Sequence, residues 1–360
     1  MRVGIEVGGT FTDLVMSNGK NIKTAKVPST PVSPDKGAML AIEAAGLRLE
    51  EISELIHGST VATNAVLERK GGRVCFFVTR GTKDLLLIQR HDRRAIYDLQ
   101  YQKPKPVVPR HDTYEIDERI AADGNIVTDL DTAVTSTLVR NIFDKEKFDS
   151  VAICFLHSYL NPIHERALSD IISALYPEMP ITCSCDVARE FREYERASTT
   201  TLAAYVQPVV AGYITRFSEE LQERGFQGKF SIMQSNGGRM PAAAITKNAI
   251  TALFSGPAAG VVGALRGKGK TSYPDIITLD MGGTSTDVAL VSNDQAELAP
   301  MTTIDGLPVK TPVVDIVTVG AGGGSIAWVD DGGLLRVGPQ SAGATPGPAC
   351  YGRGGKLPTV

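Results

Sequence analysis

The sequence has few cysteines and no long apolar run. Its five cysteines are an odd number, scattered along 360 residues and mostly in apolar surroundings, which is typical of reduced thiols. No apolar run approaches the roughly 18 residues that a membrane-spanning helix needs. The chain also enters a predicted strand at Arg2 without the charged lead and apolar core of a signal peptide. We therefore predict a cytoplasmic protein without a membrane span.

An excess of positive charge is also absent. With 37 basic and 40 acidic residues the formal net charge is −3, which gives no electrostatic support to binding of nucleic acid or of a membrane surface. His-rich metal spacing does not occur, and no Ser/His/Asp or Cys/His order stands out, so covalent catalysis has little support. A hydrophobic content of 42% in 360 residues is ordinary for a globular protein of two domains.

The chain does contain one motif that occurs twice, at 6–13 (EVGGTFTD) and at 280–287 (DMGGTSTD). Each copy lies between two β-type apolar runs, the second of which ends in a turn signal, so each is predicted to form a β-hairpin. At the bend the absence of a Cβ lets backbone N–H groups approach an anion, and the threonine hydroxyl adds a donor. A Walker loop, by contrast, leads into a helix. Two such loops facing each other are predicted to clasp a polyphosphate through Gly8, Gly9, Thr10, Thr12, Gly282, Gly283, Thr284 and Thr286.

Acidic side chains flank both glycine turns. Carboxylates beside phosphate loops are candidates to hold the Mg²⁺ that accompanies ATP and to position water. We predict Mg²⁺ at Glu6, Asp13, Asp280 and Asp287, with Glu6 and Asp280 in catalytic roles that align the nucleophile. The alternative is that each acid only forms the turn at a strand end, although the duplication favours the metal role.

Further candidates lie at strand ends and helix starts, where open α/β sheets bind ligands. The stretch 57–64 (HGSTVATN) gathers donors between a strand and a predicted helix, with simple helix capping as the alternative. Arg90 opens a run of cations that either clamps a carboxylate or phosphate or forms a solvated face. A turn at 234–238, a helix start at 255 and a third glycine loop at 320–327 complete the set. We predict His57 as catalytic and, as substrate-binding, Thr60, Thr63, Asn64, Arg90, Asn236, Gly237, Ser255 and Gly323.

A polar, glycine-rich segment at 266–272 is the best linker candidate. It directly precedes the second predicted hairpin, so we predict a hinge near 267–273 and a second lobe that begins at about 274. Apolar periodicity predicts helices around 131–144, 164–175 and 195–224.

Together these stretches resemble the hydantoinase A / 5-oxoprolinase family, which includes N-methylhydantoinases and acetone carboxylase subunits. The resemblance runs in order through 7–13, 57–69, 97–99, 193–198, 234–238, 255–260, 280–287 and 320–327. It implies an α/β fold of the actin-like ATPase (ribonuclease H-like) type with two lobes. It also implies the family's N-terminal region at 1–185 and its hydantoinase A region at 190–360.

The activity that this resemblance implies is ATP-dependent ring opening of a cyclic amide such as a hydantoin, 5-oxoproline or a lactam. ATP and Mg would be the cofactors, and phosphoryl transfer to the carbonyl or amide oxygen would create the leaving group. The family usually works with a hydantoinase B-type partner, so we expect a heteromeric complex. The alternatives are an ATP-dependent ketone carboxylase subunit, a nucleotide-dependent switch or assembly subunit whose partner performs catalysis, and a small-molecule kinase.

The chain departs from the family pattern at several positions. Glu6 stands where the family typically has Asp, and its additional methylene would shift Mg or its water. Gln89 replaces a glycine beside Arg90, in a region expected to set substrate choice. The family's adenine-contacting glycine motif has no counterpart before Val360. We therefore expect polyphosphate-gripping loops, an incomplete adenine pocket and a truncated second lobe.

Overall fold

The computed structural model describes residues 1–30, 33–90, 92–93, 95–267, 269, 273–283, 285–343 and 346–360. Thr284 and much of the predicted hinge at 267–273 lie outside these residues. Within the described ranges, no helix combines the length and the apolar content that a bilayer crossing requires.

The helices of the described residues are α1 (Pro34–Ala44), α2 (Val61–Leu67), α3 (Leu85–Ile88), α4 (Thr132–Phe143), α5 (Ile163–Leu175), α6 (Ser184–Val187), α7 (Glu193–Glu223), α8 (Ala242–Ile245) and α9 (Ser255–Gly267). The strands are β1 (Arg2–Val7), β2 (Phe11–Ser17), β3 (Ile22–Pro28), β4 (Glu54–Ser59), β5 (Val74–Thr79), β6 (Thr113–Ile116), β7 (Arg119–Ile120), β8 (Ile126–Thr128), β9 (Ser150–Cys154), β10 (Ile181–Cys183), β11 (Lys229–Met233), β12 (Arg239–Pro241), β13 (Ile276–Met281), β14 (Thr286–Ser292), β15 (Gln295–Ala296), β16 (Leu298–Ala299), β17 (Thr302–Ile304), β18 (Leu307–Val309), β19 (Val313–Val314), β20 (Ile316–Val319), β21 (Ser325–Val329) and β22 (Leu335–Ser341).

The first sheet has the strand order β12-β11-β4-β1-β2-β3. β1, β4 and β11 are parallel, whereas β2, β3 and β12 pair antiparallel with their neighbours. Successive side chains of a strand point to opposite faces. Val3, Ile5 and Val7 therefore pack with α1 and α7 on one face, while Glu6 points to the other face, where it contacts Gly256 of α9.

The second sheet is parallel throughout and has the order β10-β9-β5-β6. Its central strands β5 and β9 are buried along their whole length, as expected for parallel strands that are covered on both faces. α4 and α5 pack on one face and α7 packs on the other. The α/β class is thereby confirmed.

α7 is buried over most of its surface because it lies between the first and second sheets. This position explains why its apolar residues do not follow a single stripe. The three helices predicted from periodicity are confirmed as α4, α5 and α7, with ends that differ from the predicted ones by one or two residues.

A buried ion pair links α5 to α7 beyond the carboxyl end of the second sheet. The side chains of Glu165 and Arg196 are both fully buried, with their nearest charged atoms 3.8 Å apart. Ser158 and Ser184 bridge them, because each hydroxyl donates to Glu165, at 2.7 and 2.6 Å, and accepts from Arg196. Two backbone N–H groups donate to the same carboxylate. The carboxylate is therefore fully satisfied inside the protein.

The third sheet consists of β13, β14, β15 and β20 in antiparallel pairings. Its β13–β14 pair is the second hairpin predicted from the repeated motif, and β1–β2 is the first, so both hairpins are confirmed. α9 lies between the first and third sheets, since Ala258 and Val261 pack against Ala289, Val291 and Val314. One helix therefore supports both hairpins.

The β17–β18 hairpin comes after the predicted linker yet packs against the part of the chain that precedes it. Ile304, Leu307 and Val309 are buried in the core that α7 forms with the second sheet. At the hairpin tip, Asp305 makes an ion pair with Arg69. The two predicted lobes are therefore interleaved in the chain, and the predicted boundaries at 1–185 and 190–360 remain a prediction.

Candidate functional site

The two repeated motifs fold into the same turn. In the first hairpin Gly8 N donates to Phe11 O at 3.1 Å, and in the second Gly282 N donates to Ser285 O at 2.9 Å. Glu6 pairs across the first hairpin with Asp13, and Asp280 pairs across the second with Asp287. The two copies of the motif therefore have the same turn hydrogen bond and the same cross-strand pairing of acidic residues.

The tips of the two loops meet. A Cβ built on Gly283 would lie 3.3 Å from Thr10 Oγ1, which leaves room only for glycine or a small adjustment. Gly9 and Gly282 are exposed beside this contact. The glycine turns of the two loops therefore lie side by side, and we call the space between the two hairpins the cleft.

The hydroxyl of the second threonine of each motif forms a hydrogen bond inside the protein, next to its loop. Thr12 is fully buried, and its hydroxyl lies 3.1 Å from the hydroxyl of Ser29, which in turn donates to Gly8 O. Thr286 is buried as well and donates to Ala321 O at 2.6 Å. Thr12 and Thr286 therefore have hydrogen-bond partners inside the protein. Of the motif threonines that the structure describes, Thr10 is the one whose hydroxyl lies at the contact between the two loops.

Glu6 and Asp280 approach each other across this cleft. Burial, followed by the charges of Asp280 and Asp13, raises the pKa of Glu6 to about 7. Both carboxylates face α9, where Gly256 contacts Glu6 and a Cβ at Gly260 would lie 3.5 Å from Asp280 Oδ2. Two facing carboxylates, one of them buried without a hydrogen bond or ion pair among the described contacts, form an electrostatic environment that favours a bound cation.

The other two predicted Mg²⁺ ligands have partners in the protein. Asp13 forms an ion pair with Lys26 at 2.6 Å, and Asp287 accepts a hydrogen bond from Thr318 Oγ1 at 2.7 Å. Among the described residues, no group of three or more His, Cys, Asp or Glu side chains is arranged to hold a metal. The geometry therefore favours a site with two carboxylates over one with four, and Mg²⁺ commonly uses one or two carboxylates with water and phosphate.

The raised pKa of Glu6 predicts a pH-dependent effect of Glu6→Gln on stability. A carboxyl group whose pKa rises from 4.5 to about 7 on folding stabilises the folded state at low pH and loses that contribution as pH rises through this window. Glutamine does not titrate. We compare the free energies of unfolding of Glu6→Gln and of the wild type, both without metal. We expect the difference between them to shift in favour of Glu6→Gln by about 1 to 3 kcal/mol as pH is raised from 5 to 8.

Urea unfolding at several pH values measures this difference. Glu68→Gln is the control, because Glu68 is exposed and pairs only with Lys70 at the surface. A stability difference between wild type and Glu6→Gln that stays constant with pH would contradict the prediction.

The third glycine loop packs on the second one. Gly323 N donates to Gly282 O at 2.9 Å, and Gly324 N donates to Gly283 O at 2.6 Å. Gly323, predicted as substrate-binding, thus holds the second loop in place through its backbone.

His57, predicted as catalytic, lies in the core outside the cleft. It is fully buried, its Nε2 lies 2.7 Å from the hydroxyl of Tyr213, and its ring packs edge-on against Phe217. Burial lowers its pKa to about 4, which keeps the imidazole neutral. The reason is strand alternation, since His57 pairs with Ile5 and shares the face of the first sheet that α7 covers.

Thr60 and Asn64 line a cavity of about 450 Å³ beside the first loop, together with Gly8 and Gly9. Asn64 Nδ2 donates to Thr60 Oγ1 at 3.2 Å, and Thr60 Oγ1 lies 3.3 Å from Val7 O. Arg216 of α7 also lines this cavity. Sequence reasoning missed Arg216, because only the packing of α7 against the first sheet brings it to this cavity.

Thr63 and Ser255 connect helices instead of lining the cleft. Thr63 Oγ1 accepts from Phe254 N at 3.2 Å, and Ser255 Oγ donates to Ser59 O at 3.2 Å. These bonds fix the start of α9 against β4 and α2.

Asn236 and Gly237 form the turn after β11. Asn236 Oδ1 accepts from Gly238 N at 2.8 Å, and Gly237 has a φ of +78°, a conformation that glycine adopts without strain. A Cβ there would overlap Val262 of α9. Both residues thus have a local structural role in this turn.

Arg90 lies at a different cavity, of about 170 Å³, lined also by Tyr101 and Lys103. Its guanidinium binds both carboxylate oxygens of Glu195, at 3.0 and 2.6 Å. The lining residues of this cavity and of the cavity beside the first loop do not overlap. Of the predicted substrate residues, Thr60 and Asn64 are the ones that line a cavity at the phosphate loops.

Two family models match the chain. The model described as hydantoinase/oxoprolinase N-terminal region matches residues 2–176, and the model described as hydantoinase/oxoprolinase matches residues 196–360.

Several curated proteins are similar over nearly the whole chain. Caprolactamase subunit alpha of Pseudomonas jessenii is 37% identical and is matched over 100% of this chain and 53% of its own length. Acetophenone carboxylase gamma subunit of Aromatoleum aromaticum is 35% identical over 99% of this chain and 52% of its own. A 5-oxoprolinase of Saccharomyces cerevisiae is 33% identical over 99% and 31%. The chain thus spans about half or less of the length of these relatives.

Two solved structures share the fold. The ATP-dependent caprolactamase of Pseudomonas jessenii superposes with a TM-score of 0.85 at 35% identity, covering 100% of this chain and 54% of that one. Nucleotide-free acetone carboxylase superposes with a TM-score of 0.81 at 28% identity, covering 100% and 53%. In both cases the superposition extends over the whole of this chain.

Proposed function

We propose, since the chain belongs to the hydantoinase/oxoprolinase family, that it forms the ATP-binding part of an enzyme that opens a cyclic amide such as a hydantoin, 5-oxoproline or a lactam. The observation that carries this proposal is the pair of hairpins with the same turn, which meet at Thr10 and Gly283 and bring Glu6 and Asp280 close to each other. We interpret the hairpins as the two phosphate loops of an actin-like ATPase with two lobes.

Mg²⁺ fits the cleft on the chemistry of its side chains. Glu6 is a partly buried carboxylate whose pKa is raised toward neutrality by burial and by the charges of Asp280 and Asp13, which the charge of Lys26 offsets only in part. Glu6 and Asp280 would hold the ion together with water and phosphate oxygens. When bound, Mg²⁺ would neutralise charge on the phosphates during phosphoryl transfer.

The chain's own groups would grip the nucleotide and orient the substrate. The N–H groups of the two glycine loops other than those of Gly8 and Gly282, which close the turns, would donate to phosphate oxygens, and Thr10 would add a hydroxyl. The cavity with Thr60 and Asn64 adjoins the first loop, so a small cyclic amide there would have its carbonyl oxygen beside the terminal phosphate. Transfer of the γ-phosphoryl group from ATP to that oxygen would release ADP and activate the ring carbon. Addition of water to that carbon would then release phosphate and break the ring C–N bond, with the nitrogen leaving as an amine or amide N–H.

A ketone carboxylase subunit is the second candidate function. The 35% identity to acetophenone carboxylase gamma subunit and the TM-score of 0.81 with acetone carboxylase favour it. Phosphoryl transfer to a carbonyl or carboxyl oxygen would use the same cleft. Relatives named as subunits also support a partner chain, which we propose to be of the hydantoinase B type.

Substrate-stimulated ATP hydrolysis tests these proposals. The complete gene product, purified with the subunits that accompany it, is assayed with hydantoins, 5-oxoproline, lactams, and ketones with and without bicarbonate. We expect stimulation by one class of cyclic amide, with an opened ring as product and no stimulation in the Glu6→Gln protein. Stimulation by a ketone only with bicarbonate favours the carboxylase, whereas hydrolysis without any stimulation contradicts both readings and favours a switch subunit.

A further inference from the structure

One face of α9 carries two glycines, one helical turn apart, beneath the two facing carboxylates. A Cβ built on Gly256 would lie less than 3.0 Å from Glu6 Oε1, whereas a Cβ on Gly260 would lie 3.5 Å from Asp280 Oδ2, an ordinary contact. A third glycine of the same helix, Gly263, has open space at the Cβ position. Of these three glycines, Gly256 is the one at which an added Cβ would overlap a neighbour, and that neighbour is Glu6.

The start of α9 cannot easily move away from this contact. Ser255 Oγ donates to Ser59 O at 3.2 Å, and Phe254 N donates to Thr63 Oγ1 at the same distance. Two hydrogen bonds thus hold the two residues that directly precede Gly256, the position that the Glu6 carboxylate contacts. A side chain at 256 would have to displace Glu6.

The contact concerns the side chain of Glu6 and not the packing of α9 on β4. The nearest atoms to a Cβ at Gly256 all belong to Glu6, namely Oε1, Cδ and Cγ. Its Cγ, where the carboxyl carbon of an aspartate would lie, is 3.8 Å away, an ordinary contact distance. An aspartate oxygen near the position of Cδ would lie about 3.3 Å from this Cβ, a tight contact that a small shift relieves, so the severe overlap arises with the longer carboxylate.

We propose that Gly256 is a positioning residue matched to the length of Glu6, because its missing Cβ leaves the space through which the Glu6 carboxylate reaches the cleft beside Asp280. This inference rests on the proposed function of Glu6 and Asp280 as the pair that holds the cation. It predicts that alanine at 256 harms the protein with glutamate at 6 and is tolerated with aspartate at 6.

A double-mutant cycle tests the match, using Gly256→Ala, Glu6→Asp and their combination in the complete gene product. The readouts are the affinity for ATP in the presence of Mg²⁺, by titration calorimetry, and the urea midpoint. We expect Gly256→Ala to weaken affinity about tenfold or more in the wild-type background and less than about threefold in the Glu6→Asp background. The urea midpoint should show the same relief.

Gly263→Ala is the matched control, since it makes the same change in the same helix at an open position. We expect wild-type affinity and a slightly raised stability from it. Equal losses from Gly256→Ala in both backgrounds, including failure to fold in both, would overturn the inference. The proposed function would still stand in that case if the wild-type protein binds ATP in the presence of Mg²⁺. A wild type without Mg²⁺-dependent ATP binding would overturn the proposed function and the positioning role with it.

Discussion

If the proposed function is correct, we expect Asp280→Asn to lower ATP turnover by about 10²- to 10³-fold, the size of effect that follows loss of a charged group that stabilises phosphoryl transfer. Asp280 faces Glu6 across the cleft and lies beside Gly260 of α9. Asparagine keeps the shape and removes the charge. The remaining carboxylate of Glu6 would hold a divalent cation weakly, and its own pKa would fall because the charge of Asp280 no longer opposes its ionisation.

Asp287→Asn is the matched control for this experiment. Asp287 pairs with Asp280 across the same hairpin, and its carboxylate accepts a hydrogen bond from Thr318 at the surface. The two variants make the same change of charge in the same hairpin. We expect turnover within about threefold of the wild type for Asp287→Asn, since hydrogen bonds at exposed sites contribute about 1 kcal/mol. Losses of similar size in both variants would mean that the hairpin's total charge matters and would contradict the assignment of Asp280.

Glu165→Gln is expected to destabilise the protein by about 3 to 5 kcal/mol, the range measured when one partner of a buried ion pair is removed. Arg196 would remain fully buried without a counter-charge. The amide would also present an N–H donor to an environment of donors, because two hydroxyls and two backbone N–H groups point at this carboxylate. The measurement is the free energy of unfolding from urea titration followed by circular dichroism.

Arg166→Ala serves as the control for Glu165→Gln. Arg166 is the next residue of α5 and pairs with Asp186, with both side chains about half exposed at 50% and 52%. Exposed pairs of this kind contribute about 0 to 1 kcal/mol. Unfolding free energies that fall equally in the two variants would contradict the structural role of the buried pair.

The hairpins could be predicted from the sequence because their determinants are local. The glycine bend, the flanking apolar runs and the turn signals all lie within about fifteen residues of one another, and the duplication identified the acidic positions without tertiary information. The helices α4 and α5 were predictable for the same reason, whereas α7 was predicted although its burial on most sides leaves no single apolar stripe. Hydrophobic periodicity is a property of a single helix, so it can be recognised without knowledge of the tertiary structure.

The residues that sequence reasoning misplaced depend on contacts between distant elements. His57 has the residue type and the strand-end position of a catalytic group, but the helix that buries it lies more than a hundred residues later. The hydroxyls of Thr12 and Thr286 are used by Ser29 and Ala321, neither of which belongs to its motif. Arg90 has the charge of a ligand clamp, but Glu195 satisfies it within the protein. In each case the local pattern shows what a side chain can do, and the fold decides what it contacts.

The return of β17–β18 determines where the chain can be divided for biochemical work. A recombinant fragment that ends at the glycine-rich linker near 266 would contain the first and second sheets, yet it would lack Ile304, Leu307 and Val309. Each of these side chains contributes about 1.5 to 3 kcal/mol by burial, so the fragment would expose an apolar groove along α7. A usable fragment must keep residues 302–309, or a spliced copy of them, together with everything that precedes the linker. The boundaries of a stable recombinant fragment are therefore set by core contacts between distant residues and not by the position of the linker.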